Sequence, residues 1–274
     1  MDSPNTPRFE AMTTGVLLDR AFRLYGGNFS LMLGITAAAY VPYYAAMLLI
    51  KAGAGGNAGS PGRTIATILS EVLFIILWAS LALPIATGAG TYAISERYLG
   101  NEVTIGQALN RAVKSLWTLS VAQFAVVLWV FIGFVLLIVP GILWSLSYAL
   151  VVPVVLVEGR KAAPSLRRSC ELVKDNRWKV FAVLLIVSAL QWLLGFGVGS
   201  LSRLFLTLES GSGSLMRWTL ENVTTIFLTP LGIIADILLY YDFRIRKEGF
   251  DLEMLSRAFE LVPQSTEAQA MPHF

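Results

Sequence analysis

From Ser115 to Val157 the chain carries no charged residue. A straight helix of that length would exceed ~60 Å at about 1.5 Å per residue, roughly twice the hydrocarbon thickness of about 30 Å that a bilayer offers. The run therefore has to cross, turn and return. Pro140-Gly141 is the expected turn, because proline ends helices and glycine tolerates unusual backbone angles. It divides the run into spans at Leu116 to Val139 and Ile142 to Val157. Four further apolar stretches have the length, about 20 residues, that a spanning helix needs: Leu31 to Ile50, Val72 to Ser95, Val180 to Gly199 and Val223 to Tyr241. Hydrophobic residues make up 55% of the chain, charged residues 14%, and the mean hydropathy is +0.66. That balance excludes an ordinary soluble globule. The expected class is an all-α integral membrane protein with six transmembrane helices.

Short basic segments precede three of the spans and repeat one pattern at constant offsets. Leu18, Arg20 and Ala21 recur as Leu109, Arg111 and Ala112, and again as Leu166, Arg168 and Ser169. On a helical wheel the apolar residues of the first segment cover an arc of ~160°, with Asp19, Arg20 and Arg23 opposite. The second sets Ala108, Leu109, Ala112 and Val113 against Asn110, Arg111 and Lys114, and the third sets Leu166, Cys170, Leu172 and Val173 against Arg167, Arg168 and Glu171. Thr13 and Thr104 are the expected N-caps, Gln107 completes a capping box, and Pro164 suits a first turn. Gly26-Gly27 and Asp175-Asn176 are expected to break the first and third helices. The spans thus read as three pseudo-repeats of interfacial amphipathic helix plus transmembrane hairpin, at about 10–97, 102–159 and 161–247. They form a single domain, 9–249, between a disordered N-terminus, 1–8, and a tail, 250–274. In that tail Phe250, Leu252, Leu255 and Phe259 suit either another amphipathic helix or a partner-docking segment.

Lysine and arginine placement sets an expected orientation. With both termini inside, 17 basic residues lie in the cytoplasm, against Lys51, Arg63, Arg203 and Arg217 outside. The location expected is a bacterial plasma (inner) membrane. Residues 52–64 read as a flexible outer connector, and Leu201, Leu204, Phe205 and Leu208 as a short helix on the outer leaflet. Met1 to Pro7 lacks the basic and apolar regions of a cleaved secretory signal.

Basic helices in a headgroup layer attract anionic lipid by about 1 kcal/mol per charge. Arg20, Arg111 and Arg168 are accordingly candidates for lipid headgroups or for structural ion pairs. Asp236 lies within the sixth span, where an ionisable group is costly. Its expected partners are Arg20, Arg111, Arg168 or Arg244, in a structural pair rather than a transport or catalytic role. Pro84, Pro153 and Pro230 recur in the second helix of each hairpin and should kink it. Gln123 and Gln191 are expected to join helices by hydrogen bonds. Cys170 is the only cysteine and His273 the only histidine, so no disulfide and no cysteine-built metal site is expected. There is no Gly-rich phosphate loop, no Ser-His-Asp set and no metal-ligand spacing, and no basic run interleaved with aromatics suited to nucleic acid. The expectation is a non-enzymatic module without cofactor, binding membrane lipids or a membrane or cytoplasmic protein partner. The alternative is a small transporter or permease component with a cavity near Asp236.

Three strings carry a family resemblance: Leu17-Leu18-Asp19-Arg20-Ala21-Phe22-Arg23-Leu24-Tyr25, then Pro153 to Glu158 leading to Leu166-Arg167-Arg168-Ser169, and Tyr240-Tyr241-Asp242-Phe243-Arg244-Ile245-Arg246. Over nearly its whole length the chain resembles the bacterial membrane-protein family named for the membrane domain of glycerophosphoryl diester phosphodiesterases. It departs at Gly26-Gly27, where basic residues would be expected. The resemblance implies a stand-alone membrane module and no hydrolytic activity, which in such enzymes belongs to a separate soluble barrel.

Overall fold

The computed structural model describes residues 12–54, 61–205 and 211–249, and every regular element among them is helical. The order is α1 (Thr14–Gly27), α2 (Phe29–Ala54), α3 (Pro61–Leu77), a π-helical turn (Trp78–Ala82), α4 (Leu83–Tyr98), α5 (Ile105–Lys114), α6 (Leu116–Leu136), α7 (Ile138–Ser147), α8 (Val151–Val157), α9 (Ala162–Val173), α10 (Arg177–Phe205) and α11 (Gly211–Glu248). Six stretches are long and apolar enough to cross a membrane: Phe29–Ile50, Ile68–Tyr98, Leu116–Leu136, Ile138–Val157, Arg177–Arg203 and Trp218–Glu248.

α11 is the central post. It touches α1, α2, α4, α8, α9 and α10, and Ile234, Ile237, Leu238, Tyr240, Tyr241 and Phe243 on it are fully buried. Against lipid, apolar character alone does not drive helices together, so close approach of small residues does. α4 buries Ala86, Gly88, Ala89, Gly90 and Ala93, and a Cβ on Gly88 would stand 2.7 Å from Leu119 Cδ1. α6 keeps its outer side open, with Phe124, Val127 and Phe131 exposed.

The turn inside the uncharged run falls earlier than Pro140-Gly141. α6 ends at Leu136, the extended Leu137 alone makes the reversal, and Pro140 and Gly141 belong to the first turn of α7. Proline is tolerated there because its missing N–H would have no helical partner. Gly141 serves packing instead: a Cβ on Gly133 would lie 2.9 Å from Gly141 Cα, so the two arms touch backbone to backbone.

Pro84 and Pro230 each leave a carbonyl without its helical donor, and a neighbouring hydroxyl answers it. Pro84 cannot bond to the Ser80 carbonyl, which accepts from Ser120 Oγ of α6 at 2.6 Å and lies in the π-helical turn. Pro230 cannot bond to the Ile226 carbonyl, which accepts from Thr36 Oγ1 of α2 at 3.2 Å. The next carbonyls along, Phe227 and Leu228, accept from Tyr25 Oη at 2.7 Å and Gln191 Nε2 at 2.8 Å. Before Pro153 the span breaks between α7 and α8. There Ser169 Oγ of α9 accepts from Leu150 N–H at 3.2 Å and donates to the Ser147 carbonyl at 2.8 Å. In hydrocarbon a freed backbone group needs such a partner.

Two expectations at the other end of the bundle change. Leu201 to Phe205 continue α10 rather than form a separate leaflet helix, because Gly197, Gly199 and Ser200 before them stay helical and do not end it; Leu208 lies outside the described residues. α2 and α3 extend to Ala54 and Pro61, so only 55–60 of the expected connector lies outside the described residues, as do 1–8, 250–274 and His273.

Candidate functional site

The three short helices α1, α5 and α9 start as their caps dictate. Thr13 Oγ1 accepts from Val16 N–H, and Thr104 and Gln107 form the reciprocal capping box. α9 begins after Lys161 with Pro164 in its first turn. Each buries the same pair of positions of the repeated pattern: Leu17 and Ala21, Ala108 and Ala112, Ser165 and Ser169, all at 0% exposure. The three arginines beside those pairs meet three different environments.

Arg168 lies between two carboxylates. Its Nε donates to Glu158 at 3.1 Å, and its Nη2 pairs with Glu248 of α11. Glu158 also accepts from Tyr240 Oη at 3.2 Å and Arg160 at 2.6 Å, while Arg244 bonds Glu248 at 3.1 Å. Desolvation lowers the Arg168 pKa, but hydrogen bonds and charge from Glu248 and Glu158 outweigh it and hold the pKa above its ordinary value. Arg20 instead caps an aromatic stack: its guanidinium sits 4.7 Å from the Tyr98 ring, which stacks on Tyr241 at 5.1 Å. Tyr241 Oη in turn shares a 2.5 Å hydrogen bond with Ser95.

The Arg111 side chain is exposed and makes no ion pair or hydrogen bond among the described residues, and the same is true of the Lys114 side chain. Both line a groove of about 330 Å³ between α4 and α5, with Glu96, Glu102, Gln107 and Asn110 on its other walls. Tyr92 also lines it, six residues inside the end of α4, so the groove descends about 9 Å along the helix.

Asp236 has none of its expected partners. Its Oδ1 is buried with no hydrogen-bond partner, and the arginines are drawn elsewhere, Arg168 and Arg244 to Glu248 and Arg20 to Tyr98. The buried acid that does organise cations is Asp242, six residues further along α11. At 0% exposure it accepts from Met12 N–H at 2.6 Å, Lys179 Nζ at 2.6 Å and Arg246 Nε at 3.0 Å, and both cations also donate to the Met12 carbonyl. The spacing Asp242/Arg246 and Arg244/Glu248, four residues apart on one helix, was the available signal.

Cys170 is half-buried, and burial pushes its thiol up and away from the reactive thiolate. No group of three or more metal-ligating side chains occurs among the described residues. Gln123 and Gln191 do join helices, by bonds to Thr87 at 2.8 Å and to the Leu228 carbonyl.

Six long apolar stretches, one of them in the buried central post α11, define a multi-pass helical membrane protein. The chain belongs to the family described as a domain of unknown function, DUF7847, whose model matches residues 72–239, more than half its length. The match contains the α4–α5 groove and stops just before Tyr240, leaving out α1, α2 and the Asp242 cluster. No curated protein and no solved structure matches the chain.

Proposed function

We propose that this protein is a non-enzymatic module of a bacterial inner membrane that engages anionic lipid headgroups, or a partner carrying similar acidic groups, through helices lying in the cytoplasmic headgroup layer. Three pseudo-repeats, each an amphipathic helix followed by a hairpin, build that surface. The coincidence of the buried pairs Leu17/Ala21, Ala108/Ala112 and Ser165/Ser169 supports the repeat, and the 17 to 4 distribution of lysine and arginine supports termini on the cytoplasmic side.

One observation carries the proposal: Arg111 and Lys114 hold unpaired charges in a groove, lined also by Glu96 and Glu102, that descends from the α4–α5 loop to the level of Tyr92. A soluble ligand needs no such descent, whereas a headgroup whose tails enter the bilayer does. Native mass spectrometry of protein released from phosphatidylglycerol-containing membranes tests it. Arg111→Gln with Lys114→Gln should lose most retained phosphatidylglycerol; full retention would overturn the proposal.

A second reading is favoured by Asp236, whose buried Oδ1 lacks a partner. It makes the protein a small transporter or permease component with a cavity near that carboxyl. Under it, Asp236→Asn abolishes flux in reconstituted vesicles and leaves lipid retention unchanged.

A further inference from the structure

Charge in the α4–α5 groove is ordered along its length. α5 folds back along α4, since a Cβ on Gly88 would stand 3.4 Å from the Ala112 Cβ. Arg111 and Lys114, in the last turn of α5, therefore lie beside Ala112 near the level of Gly88. Glu96 is further along α4 by the eight residues from Gly88 to Glu96, about 12 Å of helix, and Glu102 lies in the loop that follows. All four side chains line the same groove. The cations occupy the end from which the next span departs, because α6 starts at Leu116 directly after that turn. The acids occupy the end that faces the loop.

These charges do not neutralise one another. Among the described residues no ion pair links them, the exposed Glu102 side chain makes no hydrogen bond, and the Glu96 side chain accepts only from Asn101, at 2.7 Å. Two cations and two acids give the lining no net charge. A headgroup bearing negative charge alone would answer the cations and leave both carboxylates facing it as water is displaced. A charge withdrawn from water without a partner is costly, and such a mismatch is how a site rejects the wrong ligand.

We infer that the groove selects a phospholipid whose headgroup carries an ammonium beyond its phosphate, phosphatidylethanolamine being the simplest. The phosphate meets Arg111 and Lys114, and the ammonium meets Glu102 and Glu96. The assignment rests on the headgroup reading and narrows it to a phosphate followed by a positive charge. The order along the groove is that of the lipid itself, in which the phosphate is joined to the tail-bearing glycerol and the ammonium lies farther out. At about 330 Å³ the groove is of the size that holds small molecules.

Native mass spectrometry of the full-length protein tests this, after exchange into equimolar phosphatidylethanolamine, phosphatidylglycerol and N-acetyl-phosphatidylethanolamine of identical tails. Acetylation keeps the phosphate and removes only the positive charge. The wild type should retain phosphatidylethanolamine about tenfold over its acetylated form, the factor that one hydrogen bond between charged groups provides. Glu102→Gln, at an exposed loop position, should remove most of that preference, and Arg111→Gln with Lys114→Gln should release all three lipids. Glycerophosphoethanolamine, the same headgroup without tails, should not displace the lipid at equal concentration. Equal retention of the acetylated and free lipids, both released by Arg111→Gln with Lys114→Gln, would overturn the inference and leave the headgroup reading standing. Retention indifferent to Arg111 and Lys114 would overturn both. A preference for the free amine that survives Glu102→Gln together with Glu96→Gln would also overturn the inference, as would displacement by glycerophosphoethanolamine, which would assign the groove to the soluble compound.

Discussion

Arg168 on α9 and Arg111 on α5 hold corresponding positions beside identically buried pairs, yet one is spent and the other open. Arg168 meets Glu158 from the end of α8 and Glu248 from the end of α11. Arg111 faces a groove, because α11 does not pack on α5 and brings no carboxylate there. A repeated residue thus takes its role from whatever the rest of the fold delivers to it. Where α11 arrives, cations lock the bundle; where it is absent, Arg111 and Lys114 stay unpaired.

The largest effect belongs to the α11 end itself. Asp242→Asn removes the charge that holds Lys179, Arg246 and the Met12 backbone together, leaving two cations facing each other across a buried site. A loss of about 3–5 kcal/mol is expected, read as a large drop in thermal unfolding temperature in detergent. A near-neutral result would mean that α11 does not anchor this end.

The two arginines should differ most directly in what their loss costs. Arg168→Gln should cost about 2 kcal/mol, the scale of hydrogen bonds to charged groups left unanswered, whereas Arg111→Gln should stay within about 0.5 kcal/mol as an open surface site does. Equal destabilisation in a melting assay would erase the distinction. Next in size, Ser120→Ala orphans the Ser80 carbonyl beside Pro84 and should cost ~1 kcal/mol, the scale of a hydrogen bond between helices in a membrane. An unchanged melting temperature would show that the π-helical turn satisfies that carbonyl alone.

How far these distinctions were legible follows from their range along the chain. Spans, caps and the buried pairs depend on residues three or four apart, so periodicity reveals them. The Leu137 turn was missed because Pro140-Gly141 looks like a break to any local rule, while its use in a first turn and a backbone contact depends on Gly133 across the hairpin. Asp236 attracted attention as the acid deepest in a span, but its expected arginines are held by Glu248 and Tyr98. The role of Asp242 depends on Met12, which lies 230 positions away, beyond the reach of local spacing.

One further ion pair links α9 to α11. Asp175, just past α9, bonds Lys247 of α11 at 2.7 Å, joining the same two elements as Arg168 and Glu248 but in open water. The hydrogen bond from Lys247 and its charge hold the Asp175 carboxyl below its ordinary 3.8. A depressed folded pKa stabilises above the unfolded value and is lost as pH falls through the folded one, so any contribution disappears only in acid below about 3.8. Solvent screening should make it slight. Asp175→Asn is therefore expected to leave the melting temperature at neutral pH nearly unchanged and to flatten only the acid limb of the stability curve. If it instead matched Arg168→Gln at neutral pH, proximity to α11 rather than burial of the ion pair would decide which cations lock the bundle.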